Sequence, residues 1–215
     1  SDFENLIREA ISRGKNIYSF DPVPDTWVDE DYTGMVYYPG TAIDFDYRTR
    51  FGKLHVIGTP VIAVFGTSSR QGKFSIQLEL KRRFIADGYK VGHLSTEPSG
   101  FAFGASQVYH CGYNASVDAL RDENMVYINE LLHRIDEENN DIILLGGQSS
   151  VLPSSSLNIK YFSPVHMEFL QMSQPDLIVL AVNYEDDDYT IGQSIKMVEG
   201  LTGGIVIGLV MYPMK

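Results

Sequence analysis

The chain has 215 residues, 44% of them hydrophobic, and a formal net charge of −11. That length suffices for one sizeable core, or for an α/β domain with an N-terminal extension, and the acidic balance argues against non-specific binding to nucleic acid or anionic membranes while leaving room for a local phosphate site. A single cysteine, Cys111, excludes an internal disulfide and fits a reducing compartment. No apolar run approaches the length of a membrane span and no secretory pattern opens the sequence, so the expected setting is a bacterial cytoplasm, with no membrane or nucleic-acid partner.

Phe3, Leu6, Ile7, Ala10 and Ile11 recur at helical spacing, and Arg13-Gly14 makes a C-terminal stop. This helix opens the chain with no preceding domain, so the sequence is expected to be a piece of a longer protein. Ile17 to Phe20 reads as a short strand, and Asp21 to Asp25, with two prolines, as a connector. Residues 27–50 are acidic and aromatic (Asp29, Glu30, Asp31, Tyr32, Tyr37, Tyr38, Phe45, Tyr47) and follow no period, which predicts a packed irregular arm or a small hairpin. The boundary falls near residue 58: residues 1–58 form the arm and 59–215 a nucleotide-binding domain.

That domain is organised around the run from Val61 to Ser75. Val61 to Phe65 is unbroken, apolar and rich in β-branched residues, as in a strand buried on both faces. Small, polar and glycine residues follow from Gly66 to Gly72, and after Lys73 the apolar positions Phe74, Ile76, Leu78, Leu80, Phe84 and Ile85 mark a helix. Strand, glycine-bounded loop and helix is the setting of a phosphate-binding P-loop. Loop amides and the helix N-terminus offer N–H groups and positive dipole to an anion, and Lys73 adds a full charge. The expected phosphate contacts are Gly66, Thr67, Ser68, Ser69, Arg70, Gln71, Gly72, Lys73, Phe74 and Ser75. Two departures from the usual motif stand out. Thr67 occupies the place of its first glycine, and Phe74 the place of the Mg²⁺-binding hydroxyl, with Ser75 one position later. A tight strand-to-helix turn with a solvated lysine is the plainer alternative.

Gly-Thr, four residues and Gly-Lys after a buried strand resembles the P-loop of dethiobiotin synthetase and its relatives. It is more similar still to a bacterial P-loop family of unknown function that reads Gly-Thr-Asp-Cys-Ala-Val-Gly-Lys, then a variable residue and Thr. That family's hydroxyl also lies two places after the lysine, matching Ser75, and some of its members are described as D-glutamate N-acetyltransferases. The loop is loosely similar to P-loop proteins of peptide-maturation systems of the bacteriocin type.

Tyr89 to Ser95 reads as the next strand, and Thr96-Glu97 sits at its carboxyl end, where open α/β sheets bind ligands. Glu97 is therefore a candidate metal-binding or general-base carboxylate, or else a loop carboxylate capping a helix; the resembling family has Thr-Gly-Gln-Thr-Gly here. Phe101 to Asn114 is a long aromatic loop, and the His110-Cys111 pair in it has no second metal-like pair nearby. Asn114 to Glu138 follows as a helix. Its Asp118 matches a Val-Ile-Asp-Ala run of the family and could orient an amine or a Mg²⁺ water, or simply favour the helix N-terminus. Asp141 to Ser150 is a strand and its exit. It ends Gly146-Gly147-Gln148 where the family has Glu-Gly-Gln, so no acid stands there, and Gln148 and Ser149 remain candidates to position a substrate or water. Val151 to Phe162, rich in serine, is expected to be a surface loop, and Val165 to Met172 a helix. Pro175 to Asn183 is a strand whose final Asn183 resembles the base-contacting asparagine of dethiobiotin synthetase-like proteins. Glu185 to Asp188 is expected to be a solvated helix start, Ile191 to Leu201 the helix, and Gly204 to Met211 a final buried strand.

Alternating strands and helices imply right-handed crossovers and an α/β, P-loop NTPase-like, mostly parallel sheet with flanking helices behind the arm. The leading expectation is binding of ATP with Mg²⁺ and transfer of a phosphoryl or acyl group to a small carboxylate or amine. Lys73, Glu97 and Gln148 would carry the chemistry, and Ser75 and Glu97 would stand on the metal side. A nucleotide-dependent accessory or switch protein serving a peptide-modifying partner of a peptide-maturation system, with weak hydrolysis, is the alternative, as is an N-acyltransferase holding coenzyme A in the same loop; the substrate itself is a small molecule or a peptide. A homodimer is left open.

Overall fold

The computed structural model describes residues 2–38, 52–109, 121–153, 157–159 and 162–211. Phe45, Tyr47, the His110-Cys111 pair and Asp118 lie outside the described residues. Helix α1 (Asp2–Ser12) buries Ile7 and Ile11, and the chain leaves it through Gly14 at a φ of 67°, a left-handed turn that favours glycine. Strands β1 (Ile17–Tyr18) and β2 (Val36–Tyr37) pair in parallel, so among the described residues of the arm this pair is not a hairpin. Two 3₁₀ turns, Asp25–Trp27 and Glu30–Met35, fill the connection between them.

The main sheet follows. Its strands are β3 (Val61–Gly66), β4 (Val91–Ser95), β5 (Gln107–Val108), β6 (Ile142–Gly146), β7 (Leu177–Val182) and β8 (Ile205–Met211), in the spatial order β5-β4-β6-β3-β7-β8. Every pairing is parallel. Helices α2 (Lys73–Ala86), α3 (Arg121–Asp136), α4 (Pro164–Ser173) and α5 (Asp188–Thr202) supply the crossovers. The residues of β3 alternate between two layers: Val61, Ala63 and Phe65 face the large core with Ile128, Leu132, Phe169 and Val198, while Ile62 and Val64 pack with Ile76 and Leu80 of α2. Both faces of β3 are therefore covered, which is why its sequence is apolar without alternation.

Three expectations are corrected. The long loop after β4 carries a further strand, β5, which the sequence reading missed because two residues show no period. Val151 is fully buried, so the segment that begins there is not surface throughout. Strand β8 is an edge: Ile205, Ile207, Leu209 and Met211 are each at least half exposed, because it pairs only with β7 and slips register beside Ile178/Val179. Among the described residues no helix is long and apolar enough to cross a membrane.

Candidate functional site

Strand β3 lies between β6 and β7, and the chain leaves it towards β4 on one side and later returns to β7 on the other. This reversal opens the crevice at the carboxyl ends of the strands where α/β sheets take ligands. The loop from Gly66 to Gly72 stands there. Its turn uses two left-handed residues, Arg70 at a φ of 61° and Gly72 at 73°. Gly66 is tightly enclosed: a Cβ there would approach Lys73 Cδ to 3.1 Å and the Ala181 carbonyl to 3.3 Å.

The loop is braced from within and from β7. Thr67 N–H donates to the Ala181 carbonyl at 3.0 Å, and Thr67 Oγ1–H donates to Asp186 Oδ2. Asp186 also accepts from the Asn183 N–H at 2.7 Å, so the turn after β7 clasps the loop. Gln71, buried, spans the loop: its Oε1 accepts from Ser68 N–H at 3.0 Å and its Nε2 donates to Thr67 Oγ1 at 2.6 Å. Lys73 is buried as well, and its Nζ donates to the Ser68 carbonyl at 2.7 Å. Burial lowers its pKa to about 8, with the Glu97 charge acting in the opposite direction. Glu97 is half-buried, and burial raises its pKa while Lys73 lowers it. The two groups thus feel each other across the crevice.

The other candidates fall as follows. Phe74 turns away from the loop, stacking over His93 at 6.3 Å and meeting Phe103 edge-on at 5.5 Å. Ser75 is exposed, on the side of α2 opposite Lys73 and Gln77. Gln148 Nε2 donates to the Thr96 carbonyl and Thr96 Oγ1 donates to the Gly146 carbonyl at 2.8 Å, lacing the ends of β4 and β6 together. Asn183 follows β7, close to the loop through Asp186. Among the described residues no group of three or more His, Cys, Asp or Glu side chains could hold a metal ion.

Four participants escaped the sequence reading. Gln77, one helical turn after Lys73, is buried, donates to the Lys73 carbonyl at 3.2 Å and meets His93 Nε2 at 3.1 Å through its Oε1. Its i+4 spacing from the lysine was an available signal. A Cβ on Gly146 would fall 2.0 Å from Gln77 Nε2, so this amide fills the space in which an acid at the end of β6 would begin. His93, on β4, is fully buried, and burial, then the Lys81 charge, depress its pKa to about 4. Asp186 was read as part of a solvated acidic run. The fourth, His166 on α4, carried no local signal at all.

A family model described as "Domain of unknown function (DUF1611_C) P-loop domain" matches residues 49–197. In structure the chain is similar to a DUF1611 family protein from Anabaena variabilis, with a TM-score of 0.65 and 18% identity, over 98% of this chain and 63% of that one. The chain thus spans less than two thirds of that relative's length. It is also similar to the kinase domain of the Escherichia coli tyrosine kinase ETK (TM-score 0.50, 12% identity, 78% of this chain and 77% of that one). A nucleotide-binding protein from Archaeoglobus fulgidus in complex with ADP follows at a TM-score of 0.49 and 17% identity, over 70% and 65% of the two chains. At these identities the likeness is one of fold. No curated protein matches the chain. The family model covers well over half of the 215 residues, and the chain belongs to the DUF1611 P-loop family.

Proposed function

We propose that the chain binds a nucleoside triphosphate, ATP first among them, by its phosphates in the loop Gly66–Lys73. One observation carries this reading. Lys73 is a buried cation that makes no ion pair among the described residues and is turned into its own loop, at the carboxyl end of the central strand. Burying an ammonium that forms no ion pair is costly, and its depressed pKa reports that cost, which the Glu97 charge offsets only in part. A phosphate in the loop would supply a counter-charge in direct contact.

The donor set is compatible with Mg²⁺ held mainly by the phosphates, since Mg²⁺ keeps several waters and takes one or two protein carboxylates. Glu97 would be that carboxylate. The exposure of Ser75 argues for giving it a lesser part. As an enzyme the chain would pass a phosphoryl or acyl group to a small carboxylate or amine. In that role Lys73 neutralises charge on the transferred group, Glu97 stands on the metal side, and Gln148 holds the Thr96 loop.

A second reading, a nucleotide-dependent switch or accessory protein with weak turnover, is favoured by the amide of Gln77 standing where a strand-end acid would be. The test is calorimetric titration of wild type and Lys73→Ala with ATP, GTP and acetyl-CoA, each with and without Mg²⁺. ATP binding that Lys73→Ala abolishes supports the proposal, and preference for acetyl-CoA redirects it to acyl transfer. Failure of every ligand to bind refutes it.

A further inference from the structure

His166 belongs to none of the roles above. It stands in the first turn of α4, behind Ser163 and Pro164, at the end of the helix nearest the crevice. The residue is 3% exposed, and neither ring nitrogen has a hydrogen-bond partner among the described residues. A buried polar group left unpaired is costly, and native structures hold few without a use.

The ring's surroundings place it at the rim of the phosphate loop. Phe65, which immediately precedes Gly66, meets it edge-on at 6.3 Å, and Phe169 stacks on it at 6.4 Å. On a third side lies Gly147, the residue after β6: a Cβ there would fall 2.1 Å from His166 Cε1 and 2.9 Å from its Nε2. The imidazole edge therefore rests over the bare Cα of Gly147, at the end of the strand beside the loop strand. Burial, and then the nearby charge of Lys73, depress its pKa to about 3, so the ring meets any ligand neutral, with one N–H and one bare nitrogen.

We propose that His166 recognises the terminal phosphate of a nucleoside triphosphate, its imidazole N–H donating to that phosphate once the triphosphate occupies the loop. This rests on reading Gly66–Lys73 as a phosphate site. In such a site the loop amides cradle the inner phosphates and the lysine reaches the β- and γ-phosphates, and we take the outermost one to extend towards the end of the neighbouring strand, which here is β6. A diphosphate would stop short of the ring. Contact requires the Gly146–Gly147 peptide to shift off the imidazole and to exchange the bonds it makes to Thr96 Oγ1 and the Val64 carbonyl, within the wider backbone range of two successive glycines.

The test is titration of the whole chain with ADP and with the non-hydrolysable triphosphate AMP-PNP, in wild type, His166→Phe and His166→Gln. Wild type should prefer AMP-PNP by about 10-fold to 100-fold, the range of one charge-assisted hydrogen bond. His166→Phe should lose that preference while holding ADP within about twofold of wild type, and His166→Gln, whose amide can still donate, should keep part of it. A second measurement needs no variant. In ¹⁵N-histidine-labelled wild type, AMP-PNP should shift the His166 ring nitrogens and ADP should leave them in place. An unchanged preference in His166→Phe, or ring nitrogens indifferent to both ligands, overturns the proposal. Failure of both ligands to bind wild type overturns the phosphate-site reading itself, and this inference with it.

Discussion

Replacing Gly146 by alanine tests the account of why β6 carries no acid. The added Cβ would lie 2.0 Å from Gln77 Nε2 and 2.4 Å from its Cδ, against about 3.5–4.0 Å for an ordinary contact. Gln77 cannot simply swing clear: it is 2% exposed, and its amide bonds the Lys73 carbonyl at 3.2 Å and His93 Nε2 at 3.1 Å. Displacing it forfeits two hydrogen bonds, about 0.5–1.5 kcal/mol each, and strips His93 of a partner. Together with overpacking of about 1–3 kcal/mol, a loss of about 2–6 kcal/mol is expected for Gly146→Ala in urea unfolding. Gln77→Ala alone should cost about 1–3 kcal/mol, from the same bonds and the space left behind. The double variant should then be more stable than the sum of the single losses predicts, by about 1 kcal/mol or more, because the alanine at 146 enters the space the amide vacates. A Gly146→Ala protein within about 0.5 kcal/mol of wild type, or strictly additive losses, would refute the reasoning. The same logic bears on function. Gly146→Glu should restore turnover, if an acid is what is missing, only in a Gln77→Ala background.

Four further outcomes are expected. Lys73 titrates at about 8 in the folded chain against 10.5 for the free side chain, so between those values the unfolded state binds more protons and folding stability rises with pH; the stability of wild type minus that of Lys73→Met should increase from about pH 8 to about pH 10, and a flat difference would contradict the burial of the charge. Glu97→Gln should weaken Mg²⁺-dependent ATP binding far more than Mg²⁺-free binding, and equal weakening in calorimetry would assign Glu97 a structural role. Asp186→Ala removes the acceptor of Thr67 Oγ1 and Asn183 N–H and should speed hydrogen exchange at residues 66–72 at a stability cost of about 1–3 kcal/mol. Tyr18→Phe deletes only the hydroxyl that donates to the Pro98 carbonyl; exchange should quicken at residues 97–103 while the β3–β6 ladder stays protected, and no change there would mean that the arm does not steady the Glu97 loop.

The sequence by itself determined the elements whose signal is local and repeated. Val61 to Phe65 read as a strand covered on both faces, the glycine-bounded run to Lys73 as a tight strand-to-helix loop, and alternation of strands with helices as a parallel sheet. The family was legible for the same reason, because the loop motif is contiguous. Tertiary structure decided whatever depends on neighbours far apart in the chain. Two residues of β5 have no period to detect and become a strand only because β4 offers them an edge. The exposure of β8 follows from its place at the rim of the sheet, which an apolar run cannot disclose. The network around Lys73 joins residues from separate elements or their ends, among them Gln77 on α2, His93 and Glu97 on and after β4, and His166 on α4. Nothing in the run Val165-His166-Met167 marks its histidine as lying against Phe65 and Gly147. Packing α4 against α3 and α5, with Phe169 and Leu170 buried in the core, sets its first turn against Phe65 and Gly147.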